Sequence, residues 1–355
     1  MHITSGRAGI VLALKDAGVV SGDEVLLPAY HSLSMIPPVT WCAASTVFYQ
    51  INIDTCINNE DIEKKITPHT KAMIVTHYFG ILQDLTKVRE LCDKKNIALI
   101  EDCAHAFFGA KNGAVVGTQG DYAIASSMKF FPCFDGGILA SSNKKLSNIT
   151  LEHQPISLQL KSLFNILERS VGYSRLGIFG KILKKILALK SVTWAIIKNV
   201  NSTNRELTRV AAATEGGYDL DESWIHKNIS TASGIIVNKS NGSRIVKKRR
   251  ENYKKIYDSM KHLSTAYPLF EAIDDHCVPL LFPLYVKNPQ QAFDTLKRQG
   301  VPIWRFGEHL DPRITIDEYP DSIKLSKHVL QFPCHQELST AEIDWMLTLI
   351  KQAIK

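Results

Sequence analysis

Three strand-like stretches of this chain end in residues that could do chemistry. Tyr30 and His31 follow GDEVLLPAY, Asp102 and His105 close IALIEDCAH, and Ser126-Ser127-Met128-Lys129 follows GDYAIASS. In open α/β sheets, ligands sit at the carboxyl ends of the strands, so three such ends side by side would form one site. A buried carboxylate after one strand, a lysine after the next and a glycine-rich helix start form a compact set. Pyridoxal phosphate (PLP) chemistry needs these parts. A lysine amine forms the Schiff base, an acid keeps the pyridine nitrogen protonated, and backbone N–H groups at a helix start grip the phosphate. None is specific alone. A lone lysine is ordinarily a solvated surface charge, Asp102 reads equally well as a cap, and His31, His77 and His105 as core or loop histidines.

The elements that would position these groups alternate along the first 140 residues. GIVLALKDAG (9–18) has helical spacing and closes on a glycine, as a C-cap does. GDEVLLPAY, STVFYQINID, KAMIVTHYFG and IALIEDCAH read as strands, with NEDIEKKI and DLTKVRELCDKKN as helices between them. GDYAIASS and GGILASS add two short strands around Lys129. Strands separated by helices of about 10–15 residues imply crossovers and a mainly parallel sheet. Residues 151–215 lack strand signals. From about Tyr218 the pattern resumes with a charged helix near Arg244–Leu263, the strand CVPLLFPLYV, the helix NPQQAFDTLKRQG and a last helix at Thr340–Ile354.

The expected fold is therefore α/β: a three-layer α/β/α large domain over residues 1–215, then a smaller α+β domain over 216–355. Seven scattered cysteines without a CxxC pair fit neither a disulfide framework nor a zinc site and suit a reducing cytoplasm. MHITSGRAGI has no secretory pattern, and no window reaches the ~18 uninterrupted apolar residues of a membrane span. Between Leu158 and Val200 eight cations face Glu168 alone, so this segment carries the whole net charge of +7. LQLKSLFNILERSV and GKILKKILALKSVTWAIIKNV within it are amphipathic and basic, as in helices that lie on anionic membranes; packing on the body or on a partner subunit is the alternative. Nucleic acid is not expected, because there is no stacking platform or known motif. WRFGEHLDPR (304–313) offers Trp304, Arg305, His309 and Arg313, where a diphosphate could be held by arginine forks; otherwise it is an ordinary exposed loop.

In sequence order, SGRAGI, GDEVLLPAYH, ITPHTKAMIVTHYFG, IALIEDCAHAFFGA, VVGTQGD and K-x5-DGG resemble the DegT/DnrJ/EryC1/StrS family of sugar aminotransferases. The resemblance returns at ENYKKI and LQFPCHQELSTAEI and is absent at 151–215. It implies a fold-type-I PLP-dependent transferase, a homodimer with sites at the subunit interface, and amino transfer from glutamate to a nucleotide-linked keto sugar, for amino-sugar or surface-polysaccharide synthesis. It also assigns roles. Lys129 would hold the cofactor, Asp102 would pair with the pyridine nitrogen, and His105 would lie next to its phenolic oxygen. Ser5, Gly6 and Arg7, with Ser126 or Ser127, would hold the phosphate, and Tyr30 or His31 would stack on the ring. Arg7 replaces the family's cradle threonine, and Asp135 stands where glutamate is usual. Dehydratase relatives carry histidine in place of the lysine, so a dehydratase is disfavoured. Two other readings are a non-catalytic relative that binds a sugar nucleotide or a protein partner, and a PLP enzyme of another reaction type.

Overall fold

The computed structural model describes residues 1–172, 180 and 217–354. The first part of the chain supplies the strands β1 (His2–Ile3), β2 (Glu24–Pro28), β3 (Ser45–Tyr49), β4 (Thr70–Thr76) and β5 (Ala98–Asp102). The short pair β6 (Ala110–Lys111) and β7 (Ala114–Val115) precedes β8 (Tyr122–Ser126) and β9 (Gly137–Ala140). The large sheet runs β1-β9-β8-β5-β4-β2-β3. Its strands from β8 to β3 are parallel, and β9 runs antiparallel to both β8 and β1. The carboxyl ends of β5 and β8 are thus neighbours.

Side chains alternate across a strand, and this sheet is buried on both faces, so its strands read as unbroken apolar runs. Val25, Leu27, Ala72, Ile74 and Ile100 join the core formed with α1 (Gly6–Asp16) and α2 (Ile36–Trp41). Leu26, Met73, Val75 and Leu99 face the opposite core, with Ile62 of α3 (Asn59–Lys65) and Val88 of α4 (Thr86–Lys95). By the same alternation Asp102 turns toward α1 and its neighbour Glu101 away from it.

The helix expected at 9–18 starts three residues earlier, at Gly6, because Ser5 caps it by accepting from the amide of Ala8. Such a cap contributes about 1 kcal/mol. The second part holds a three-stranded antiparallel sheet, β10 (Ala266–Pro268), β11 (Leu281–Val286) and β12 (Val329–Pro333). α5 (Ile156–Gly172) packs on α6 (Thr231–Lys239), and around the small sheet run α7 (Gly242–Met260), α8 (Pro289–Arg298), α9 (Pro320–His328) and α10 (Thr340–Ala353). Ile256, Phe282, Leu296, Phe332 and Ile350 form its fully buried centre. Ile225, Ile314 and Tyr319 pack into the first core instead, and Leu325 and Val329 into the second.

Three helices, α2, α6 and α9, were not expected. IPPVTW (α2) carries two prolines, which the first helical turn tolerates because its amides have no helical partner anyway. The nine residues of α9 likewise begin on a proline. Most of the basic stretch 158–200 (173–179 and 181–200) lies outside the described residues. Among the described residues no helix is long and apolar enough to cross a membrane.

Candidate active site

At the carboxyl edge of the parallel strands lies a cavity of about 250 Å³, with the N-terminus of α1 forming one wall. Ser5, Gly6 and Arg7 line that wall, Asp102, Ala104 and His105 come from the end of β5, and Ser126 and Lys129 from the end of β8. The first amides of a helix have no intrahelical acceptor and meet the positive end of its dipole, so this wall suits an anion.

Asp102 is nearly buried and accepts the amide of Ala104 at 2.9 Å. Burial raises its pKa, against the pull of Lys129 and that amide. Lys129 caps a short 3-10 turn, Ser127–Lys129, directly after β8. Its side chain reaches solvent through the cavity, yet the protein around its amine holds the pKa below the ordinary lysine range, against the pull of Asp102. His105 is buried, and burial, then Lys129, pushes its pKa well down. The neutral ring accepts from the amide of Phe79 through Nδ1, at 3.4 Å, which leaves the proton on Nε2. Its ring stacks on Phe79 and meets Phe306 edge-on at 4.9 Å.

Arg7 points its guanidinium across the site, donating to the carbonyl oxygens of Gly217, at 3.2 Å, and Asp219. Burial lowers its pKa and Asp219 opposes this. The cation that replaces a hydroxyl here thus ties the helix start to the loop at 217–219, and Gly217 and Tyr218 of that loop line the cavity.

Several candidates stand elsewhere. Tyr30 is fully buried behind the wall, stacked on Tyr78 at 5.2 Å and edge-on to Phe306 at 5.1 Å. His31 is fully buried against Phe48, bonds the carbonyl of Ala29 through Nδ1 and receives the amide of Asp311 at Nε2. Burial pushes its pKa down to about 4. Of the loop candidates, Arg305 bonds Gln290 and Pro289 and lies over Phe293. Arg313 forms a fork with Asp311, donates to Thr46 and lies over Phe48. Trp304 is half exposed and pairs its backbone with Gln331, while His309 meets Tyr218 edge-on. None of these six lines the cavity, but Phe306 of the same loop does. Sequence reasoning missed Ser32, Ser34, Thr76, Tyr218 and Phe306 on the wall. The hydroxyls of Ser32 and Ser34 lie 2.8 Å apart in the turn after β2. A Ser-x-Ser pair just past a strand end was the available signal.

This architecture is that of the fold-type-I PLP-dependent transferases. The aminotransferase TlmJ from Streptoalloteichus hindustanus superposes with a TM-score of 0.66 at 17% identity, over 99% of this chain and 85% of that one. Residues 1–175, which include Lys129, Asp102, His105 and the α1 start, match the model of the DegT/DnrJ/EryC1/StrS aminotransferase family. GDP-perosamine synthase from Vibrio cholerae is 33% identical over 144 residues, 40% of this chain and 39% of that protein. L-glutamine:2-deoxy-scyllo-inosose aminotransferase from Streptomyces kanamyceticus is 37% identical over 153 residues, 42% of this chain and 36% of that protein. The matched stretch is thus well under half the length of either relative.

Aminotransferases of this family use PLP, and the residues present fit that group. The cavity joins an amine of lowered pKa, an acid whose charge burial disfavours and a helix start suited to an anion. Of the two serine candidates, Ser126 lines the cavity, whereas Ser127 is fully buried outside its wall, its hydroxyl without a hydrogen-bond partner.

Proposed function

We propose that this protein is a PLP-dependent aminotransferase that moves an amino group from glutamate to a nucleotide-linked keto sugar. The observation that carries the reading is the meeting of Lys129, Asp102 and the N-terminus of α1 on one cavity. When bound, PLP supplies the electron sink for this chemistry. The amides of Gly6 and Arg7 and the hydroxyls of Ser5 and Ser126 would hold its phosphate. Asp102, whose charge is disfavoured by burial, gains a cationic partner if the pyridine nitrogen beside it is protonated. Lys129 would hold the cofactor covalently and, once released, move a proton, a task that its lowered pKa favours near neutrality. His105 would donate through Nε2 to the cofactor's phenolic oxygen. Ser32, Ser34, Tyr218 and Phe306 would meet the substrate.

The name of one relative contains a GDP-linked sugar and that of another contains L-glutamine as donor. Purified protein is therefore loaded with PLP and given glutamate or glutamine, and release of the corresponding keto acid is followed. Release of about one equivalent of keto acid per site from glutamate, slowed by about 10²–10⁴-fold in Lys129→Ala, supports the reading. Keto-acid release from glutamine alone moves the donor assignment, and release from neither, with sugar-nucleotide binding retained, favours a non-catalytic relative.

A second contact concerns α5, where Ile156, Leu160 and Leu163 are exposed at helical spacing at the start of the basic stretch 158–200. We propose that α5 and the basic stretch rest on an anionic lipid surface, at the cytoplasmic side of a membrane. Flotation with anionic but not neutral vesicles supports this. If Leu160→Glu abolishes a homodimer and leaves vesicle binding unchanged, the face belongs to the subunit interface.

A further inference from the structure

Arg249, on α7, is 1% exposed. Among the described residues it has no ion pair, so a guanidinium has been taken out of water without a counter-charge, which is ordinarily costly. Burial pushes its pKa down to about 10. Its donors are spent on neutral oxygens: Nε on Gln336 at 2.8 Å, and Nη1 on the carbonyls of Leu280 at 2.9 Å and Pro279 at 3.2 Å. Nη2 donates to the carbonyl of Lys129 at 3.3 Å, and the guanidinium lies 4.5 Å over the ring of Phe130. Gln336 in turn donates from Nε2 to the carbonyl of Phe130 at 3.0 Å.

The backbone carbonyls of Lys129 and Phe130 are thus each held by a side chain from the second part of the chain. The segment that Arg249 grips, Pro279–Leu280, is itself tied to the turn after β4, since the amide of Leu280 donates to the carbonyl of Phe79 at 2.8 Å. Gly80 (φ +97°) leaves no room there for a Cβ, which would strike the backbone of residues 278–280. Lys129 stands on a single 3-10 turn between β8 and a loop, and such a turn alone does not fix the reach of a lysine.

We infer that Arg249 and Gln336 are positioning residues that set the backbone register of Lys129 from the second part of the chain. The inference rests on the reading of Lys129 as the cofactor lysine. Neither side chain lines the cavity, and both act through the 129–130 backbone. Arg250, the next residue, grips the 274–277 segment without touching Lys129 and serves as the control.

The test uses the full chain without cofactor. Lys129 is labelled by an amine-reactive ester at neutral pH, and peptide mass spectrometry compares it with Lys247, an exposed lysine of the same helix as Arg249. Borohydride trapping of added PLP on Lys129 and a thermal melt are recorded alongside. Arg249→Lys and Gln336→Leu are expected to lower the Lys129/Lys247 labelling ratio several-fold, because an amine released toward water regains its ordinary pKa and becomes ammonium. Both are expected to reduce trapping, while Arg250→Gln leaves the ratio unchanged. If Arg249→Lys does not fold, Gln336→Leu decides alone. Unchanged ratio and trapping in the folded variants, whatever the melt does, would make Arg249 a packing cation and overturn the inference. Absence of a trapped adduct on wild-type Lys129 would instead refute the cofactor reading, and the labelling ratio would still report positioning.

Discussion

Glu101 and Asp102 stand next to each other on β5 and face opposite sides of the sheet. Glu101 is buried among donors: His77 Nε2 at 3.0 Å and the amides of Gly117, Gln119 and Gly120 at 3.0, 2.7 and 2.6 Å. Burial works to raise its pKa, yet His77 and these amides hold it below the ordinary carboxylate range. His77 has its other nitrogen occupied by the amide of Gln83, so this His–Glu pair is closed on itself. Asp102, also buried, has the Ala104 amide, the Thr76 hydroxyl and the nearby Lys129 and His77 pulling its pKa down, and burial still wins. One acid is satisfied by the fold. The other is left wanting a partner, and the partner is expected from outside the chain.

The largest effect should come from breaking the satisfied side. Glu101→Leu leaves three loop amides and a histidine unpaired in the interior, and we expect a loss of about 3–5 kcal/mol in urea unfolding. Asp102→Asn should do the reverse, leaving stability unchanged or slightly raised while turnover falls at least about 10²-fold. Equal destabilisation by the two changes would erase the distinction.

The pH dependence separates the two acids by sign. The depressed pKa of Glu101 gives stability that is present above its unfolded value, about 4.3, and is lost as pH falls through the lower folded value. The raised pKa of Asp102 favours its protonated form in the folded state, so its cost appears as pH climbs from about 3.9 through the higher folded value. The stability advantage of wild type over Glu101→Gln should therefore shrink below about pH 4. That of Asp102→Asn over wild type should grow above it. Parallel curves in a set of pH-dependent unfolding titrations would contradict this assignment.

The smallest effect belongs to the orphaned hydroxyl. Ser127→Ala removes a buried group that bonds nothing, so stability without cofactor should stay level. Ser126→Ala, which removes a hydroxyl on the cavity wall, should by contrast weaken affinity for PLP, read by fluorescence titration, by about 3–10-fold, the worth of one hydrogen bond.

Much of this contrast was legible before the fold was known. The apolar runs of β2, β4, β5 and β8 announced a parallel sheet, and Asp102, His105, Ser126 and Lys129 stand together on the cavity because their strands end side by side. Glu101 and Asp102 differ in role only by strand alternation, which the sequence contains but which needs the position of α1 to be interpreted. Tyr30 and His31 failed to reach the wall because the chain turns at Ser32, so the next hydroxyls, not the aromatics, face the cavity. Phe306 and the Arg249–Gln336 pair were not legible, since contacts 120 to 206 residues apart leave no local pattern.

The most direct test of the central claim is borohydride reduction of the PLP-loaded protein followed by peptide mapping. The account predicts a pyridoxyl-phosphate mass on the peptide containing Lys129, absent in Lys129→Ala and weakened in Asp102→Asn. An adduct on another lysine, or none from a folded protein saturated with PLP, would contradict it.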